Sequence, residues 1–213
     1  MADNQLMRRL FYRFCRRVAW LALKLLTRVR HLGVPDIGKR SGGMVIAANH
    51  QSFLDPPLVG TMWPEPICYL ARRSLFQVPG LGLLIRWLSA HPISRGEVDS
   101  QAVRTVLRLL RRGEVVLMFP EGTRTRDGSL GRMKPGAASL AARCGVPVMP
   151  ACIEGAYECW PRTRPLPRPG RVMVAFGNPV PTVNRDPVEV TREVREQIIR
   201  LRAQLKERME KPA

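Results

Sequence analysis

This chain is short of acidic residues, cysteine and histidine, and it contains no long apolar run. Seventeen Asp and Glu face thirty-five Lys and Arg, a formal net charge of +18 that calls for a polyanionic partner. Nucleic acid, an anionic membrane surface, an acidic carrier protein and a phosphorylated substrate all answer to that sign. The five cysteines, Cys15, Cys68, Cys144, Cys152 and Cys159, form no C-x-x-C pair, and there are three histidines. No zinc constellation can be assembled at the usual spacings, so no metal is expected. The cysteines read as small apolar residues in a reducing compartment. Arginines scattered through the N-terminus leave no clean apolar core for a secretory signal. The best apolar stretch, Val18 to Leu26, carries Lys24 and is too short to span a bilayer. Also missing are a G-x-S-x-G elbow, the P-loop spacing, zinc-finger spacing and an RNP-like aromatic motif. A nucleic-acid-binding protein is therefore disfavoured.

What is present divides in two: a segment at 1–35 and a single domain at 36–213. In residues 5–31, Leu10, Phe14, Val18, Leu21, Leu25 and Val29 recur at helical spacing, with Arg9, Arg13, Arg16, Arg17 and Lys24 mostly opposite. Such a helix either lies in a membrane interface or packs its apolar stripe on the domain, and the two are compatible. Further along, short apolar runs near 44–48, 67–70, 91–94, 114–119, 147–152 and 171–176 read as strands. Helical patterns near 56–63, 80–89, 99–112, 136–144 and 187–209 alternate with them. This alternation predicts an α/β domain whose central sheet, mostly parallel or mixed, is flanked by helices. The mixed-charge helix from Pro187 to Lys211 is expected to be a solvated surface element.

Two places carry the chemistry. The run Met44-Val45-Ile46-Ala47-Ala48 reads as a buried strand ending at Asn49-His50, and Asp55 before Pro56-Pro57 reads as a helix N-cap. The strand's C-terminal end is where open α/β sheets place ligands. A carboxylate on the far ring nitrogen would make His50 a better base, although the spacing alone equally fits a capping Asp near an unrelated His. Val115 to Phe119 is a second buried strand, and it runs into Pro120-Glu121-Gly122-Thr123-Arg124. That turn offers a carboxylate, a flexible glycine, a hydroxyl and a guanidinium suited to phosphate oxygens. A third strand end, Pro92-Ile93-Ser94-Arg95, adds another arginine. Ser52 has no neighbours that would make it a nucleophile, so direct attack by a substrate hydroxyl is the simpler chemistry.

Four blocks in order make the chain resemble the glycerolipid acyltransferase family, the 1-acylglycerol-3-phosphate acyltransferases. Asn49-His50 through Asp55 fits N-H-x4-D, and Phe119-Pro120-Glu121-Gly122-Thr123-Arg124 matches F-P-E-G-T-R throughout. Val146-Pro147-Val148-Met149-Pro150-Ala151-Cys152-Ile153 fits V-P-x-x-P-x-x-I. The block ending at Arg95 fits with Ser89 in place of the family's glycine and Pro92 in place of a frequent phenylalanine. The resemblance covers about residues 40 to 180 and implies transfer of a fatty acyl group from acyl-CoA or acyl-carrier protein to lysophosphatidic acid. On that footing His50 is the general base and Asp55 its orienter. Arg95, Glu121, Gly122, Thr123 and Arg124 form the phosphate side of the site, and no cofactor is needed beyond the thioester. An anionic membrane, approached from its cytoplasmic side without spanning it, is the implied partner. Glycerol-3-phosphate or another lyso-lipid remains an alternative acceptor, and activation of water by the same pair an alternative reaction.

Overall fold

The computed structural model describes residues 2–32, 42–93 and 100–211. Seven strands form one sheet: β1 (Arg30–Leu32), β2 (Met44–Ala48), β3 (Ile67–Arg72), β4 (Ala90–Ile93), β5 (Val115–Met118), β6 (Val148–Glu154) and β7 (Met173–Phe176). Their order across the sheet is β1-β7-β6-β2-β5-β3-β4. The strands from β6 through β4 in that order are mutually parallel. β7 is antiparallel to β6, and β1 follows β7 in parallel, so the sheet is mixed. The central strand, β2, is buried on both faces along its whole length, which explains its unbroken apolar sequence.

Helices α1 (Ala2–Leu26) and α2 (Asp55–Met62) cover one face, where Ile46, Leu58, Trp63 and Ile153 form a core. On the other face, α4 (Ser100–Arg111), α5 (Gly136–Ala142) and α7 (Pro187–Glu210) pack around Val45, Val106, Leu110 and Val116. Short α3 (Leu81–Trp87) and α6 (Ala156–Cys159) complete the set. The expected surface role of the last helix needs correction. α7 fully buries Val190, Ile198 and Leu205 against the sheet, because its apolar residues fall on one stripe despite the surrounding charge. Three short elements escaped the sequence pattern: β1, a 3-10 turn at Arg73–Gln77, and α6. Each is shorter than the window over which periodicity can be read.

The N-terminal helix resolves the two uses of its apolar stripe. Leu10, Phe14, Val18, Leu21 and Leu25 point to solvent, Phe14 at 63% and Leu25 at 79% exposure. The domain instead holds α1 by Tyr12 and Leu23, which are 6% and 4% exposed. Arg16, grouped by spacing with the outer charges, turns inward. Its Nη1 donates to the carbonyls of Trp63 (2.9 Å) and Pro64 (3.0 Å), capping the C-terminal end of α2 with positive charge. Leu83 and Leu84 of α3 are exposed as well, and α3 meets α1 through Phe11 and Trp87 with ring centroids 4.8 Å apart. No helix among the described residues is long and apolar enough to cross a membrane. The boundary near residue 35 lies outside the described residues, and so does Arg95. Just before that gap Ser89 sits at φ 61°, in the left-handed region that favours the glycine it replaces.

Candidate active site

β2 delivers its C-terminal residues to the middle of the sheet's edge, and a buried amide clamps them there. Asn49 Nδ2 donates to the Ile153 carbonyl and its Oδ1 accepts from the Ile153 N–H, both at 2.8 Å, extending the β2–β6 ladder by one step. The loop then folds around one atom. Asp55 Oδ2 accepts from the N–H groups of Gln51 (2.6 Å) and Ser52 (2.7 Å) and lies 2.7 Å from His50 Nδ1. Two backbone N–H groups already donate to this oxygen, the arrangement of an ionised carboxylate, and with Asp55 ionised the proton of this contact belongs to Nδ1. That tautomer leaves the lone pair on Nε2, on the far side of the ring. His50 stacks on Phe119 with centroids 3.9 Å apart and planes 14° apart, and its side chain remains 19% exposed.

Asp55 therefore does something other than cap its own helix. Leu54 is the N-cap residue and makes no side-chain cap, while Asp55 is the first helical residue and its carboxylate reaches back over the preceding loop. The proline-led helix start was legible in sequence, but the competition for the carboxylate was not. Three donors held within the five-residue loop outbid the helix's own amides. Burial is complete and raises the Asp55 pKa above its ordinary value, against the lowering effect of His50 and the two loop amides.

Glu121 fastens the second loop to the first. Its Oε1 accepts from the His50 N–H (2.7 Å) and its Oε2 from the Gly131 N–H (2.8 Å). The Thr125 N–H returns a bond to the His50 carbonyl at 2.8 Å. A side chain at 131 would place its Cβ 2.6 Å from Glu121 Oε2, so the glycine there is a condition of the close approach. Gly122 takes φ 72° in the turn after Phe119-Pro120, and Thr123 is exposed beside it. Arg124 lies with its guanidinium 3.5 Å from the Phe53 ring centroid, a cation–π contact that carries it over the loop of His50. Among the described residues the structure thus brings His50, Asp55, Glu121 and Arg124 together. Ser52 is fully buried and its hydroxyl donates to the Trp160 carbonyl at 2.8 Å, which rules it out as a nucleophile in this arrangement. Burial also raises the thiol pKa values of Cys152 and Cys159, the latter to about 11.

The sequence reading passed over a buried polar chain behind the loop. Gln51 Nε2 is 3.3 Å from Glu154 Oε2, which pairs with Arg202 Nε of α7 at 2.7 Å. Arg202 Nη2 also donates to the Gly128 carbonyl at 2.6 Å. These residues belong to three separate elements, and no local spacing signals that they meet.

With this geometry in place, comparison with known proteins is decisive. An acyltransferase family profile matches residues 28–154. The chain belongs to the acyltransferase family. A Bacillus subtilis 1-acyl-sn-glycerol-3-phosphate acyltransferase is 29% identical over 170 residues, covering 79% of this chain and 82% of that protein. A chloroplastic enzyme of the same name from Brassica napus is 29% identical over 158 residues, 72% of this chain and 45% of its own. The chain thus spans about half the length of that plant relative. The crystal structure of the 1-acyl-sn-glycerophosphate acyltransferase from Thermotoga maritima superposes with a TM-score of 0.85 at 27% identity, covering all of this acyltransferase-family chain and 86% of that one.

The half-buried Glu121 carboxylate yields a pH test. Desolvation by burial raises its pKa above the ordinary 4.5, outweighing the His50 and Gly131 N–H groups, which lower it. A raised folded-state pKa favours folding below the unfolded value, and that advantage is lost as pH rises through the folded value. Relative to a Glu121→Gln variant, wild type is therefore expected to gain stability as pH falls through the raised pKa, with the gain complete below 4.5. Denaturant unfolding of both proteins across that range checks it, and a pH-independent difference would be the failing result.

Proposed function

We propose that the protein transfers a fatty acyl group from an acyl thioester, acyl-CoA or acyl-carrier protein, to the free hydroxyl of 1-acylglycerol-3-phosphate, forming phosphatidic acid. The observation carrying this reading is the 2.7 Å contact between His50 Nδ1 and Asp55 Oδ2, which leaves Nε2 as an available base beside an arginine-bearing loop. In the proposed reaction Nε2 takes the hydroxyl proton as the oxygen attacks the thioester carbonyl carbon. Asp55 stabilises the resulting imidazolium, as such carboxylates do. When the tetrahedral species collapses, the C–S bond breaks and the imidazolium returns the proton to the departing thiolate. General-base assistance of this kind is worth about 10²–10⁴-fold.

In this reading Arg124, whose guanidinium lies over Phe53 of the His50 loop, engages the acceptor's phosphate, and Arg95 joins it on the strength of its motif. Glu121 has a different part. Both its oxygens accept backbone N–H groups, and a third anion at a phosphate site would repel the ligand. It serves the site by holding the turn of Gly122, Thr123 and Arg124 against His50.

The outward apolar stripe of α1 gives the enzyme its surface. We place Leu10, Phe14, Val18, Leu21 and Leu25 in the interface of an anionic bilayer, with Arg13, Arg17 and Lys24 among the headgroups. Attachment of this kind is peripheral. The free cysteines suit the reducing, cytoplasmic side.

The functional test is direct. Purified protein with lysophosphatidic acid and acyl-CoA or acyl-carrier protein should form phosphatidic acid, and His50→Ala should lower the rate at least 100-fold, the lower end of the general-base range. Glycerol-3-phosphate and head-group-bearing lysophospholipids run beside it as competing acceptors. An unchanged rate in His50→Ala would sink the mechanism. For the surface, paired Leu21→Glu and Leu25→Glu substitutions should release the protein from phosphatidylglycerol vesicles in a flotation assay without lowering its melting temperature. Undiminished flotation would remove α1 from the interface.

A further inference from the structure

Away from His50, the same edge of the sheet carries a concave site. β1, β7 and the last turns of α7 enclose a cleft of about 690 Å³, within the roughly 300–1,000 Å³ typical of small-ligand pockets. Arg28, Arg30, Arg171, Arg208 and Lys211 line it, and among the described residues Glu207 is the only carboxylate in its lining. Glu207 is committed to Lys211 at 2.7 Å, which leaves four arginines in excess. One of them is fixed in direction, since Arg171 Nη1 donates to the Met209 carbonyl at 3.2 Å. Leu32, Met173 and Met209 add apolar surface to the same cleft.

We propose that this cleft binds the phosphates of the acyl-CoA donor, with the adenine against its apolar residues. The inference rests on the acyl-transfer reading and names where the donor's nucleotide sits. Several forked guanidinium groups around a concavity match a compact ligand with more than one phosphoryl group. The topology puts the cleft within reach of the chemistry. β7 runs antiparallel to β6, with Met173 opposite Glu154, so the start of β7 and of β1 lie at the edge where β2 ends in His50. β1 is three places from β2, about 14 Å at ~4.8 Å per strand, a gap for the donor's flexible arm to cross. A bilayer headgroup is the competing source of phosphate, but none of the exposed large apolar residues of α1 or α3 lines this cleft. The polar chain from Arg202 through Glu154 to Gln51 links α7, whose last turns wall the cleft, to the loop of His50.

Calorimetry on the full chain with CoA and with dephospho-CoA, which lacks the 3′-phosphate, tests this without turnover. Wild type should prefer CoA. The double variant Arg30→Gln, Arg208→Gln should bind CoA about tenfold more weakly or worse and lose that preference, the scale of one or two charge-assisted hydrogen bonds. The KM for acyl-CoA should rise while the KM for lysophosphatidic acid and flotation on phosphatidylglycerol vesicles stay unchanged. Arg30→Lys, Arg208→Lys, which keeps charge without the fork, should fall between, and this guards against a folding defect. Unchanged CoA affinity in the Gln variant overturns the proposal. Loss of vesicle flotation alone, or loss of turnover with the carrier-protein donor alone, also overturns it and assigns the cleft to a headgroup or to an acidic protein. Wild type that forms phosphatidic acid yet binds no CoA would defeat this inference and leave the proposed function standing. Cleft-dependent CoA binding with no acyl transfer to any acceptor would do the reverse.

Discussion

A single carboxylate oxygen organises the site. Asp55 Oδ2 gathers the amides of Gln51 and Ser52 and the ring nitrogen of His50, all within 2.7 Å. It is wholly buried, so these three donors supply much of what solvent would otherwise provide to the charge. The arrangement couples loop shape to base chemistry. The bonds that turn the chain from β2 into α2 also fix which nitrogen of His50 holds its proton. A loop of this kind does not relax by small steps, because losing one donor leaves a buried charge less satisfied.

The surrounding structure converges on keeping that loop in place. Asn49 ties it to β6, Glu121 ties it to β5 and to Gly131, and Ser52 ties it to Trp160. The Gln51–Glu154–Arg202 chain extends the support to α7, which is itself anchored by a full apolar stripe. Rigid support is what a base must have if a hydroxyl is to meet it at hydrogen-bonding distance. By contrast α1 turns Leu10, Phe14, Val18, Leu21 and Leu25 outward, while Tyr12, Arg16 and Leu23 hold it to the domain. The molecule thus sets a firmly bonded loop at the sheet's edge and a helix with an outward apolar stripe on one face.

Much of this was legible in the chain. Strands with apolar residues on both faces, such as Met44–Ala48, announce themselves by composition, whereas the spacing of His50 and Asp55 left a capping Asp open and their pairing was what the N-H-x4-D resemblance implied. Two kinds of feature were hidden. Helical spacing says that a stripe exists without saying what covers it, so the exposure of Leu21 and Leu25 and the inward turn of Arg16 required the packed structure. Side chains with several possible partners were the other kind. Asp55 reads as a helix cap, yet its Oδ2 accepts the Gln51 and Ser52 amides; Glu121, grouped with the phosphate side of the site, accepts the His50 and Gly131 amides with its two oxygens. Arg202 and Glu154 lie 48 positions apart, and only the fold brings them together.

The central claim is that Asp55 makes His50 a base by holding its Nδ1 proton. Nitrogen-15 NMR of His50 in wild type and in Asp55→Asn measures this most directly. Wild type should show a protonated Nδ1 and an unprotonated Nε2 at neutral pH, with a strongly downfield Nδ1 proton. In Asp55→Asn that signal should disappear, together with acyl transfer. An Asp55→Asn protein that loses the signal but keeps wild-type acyl transfer would contradict the account.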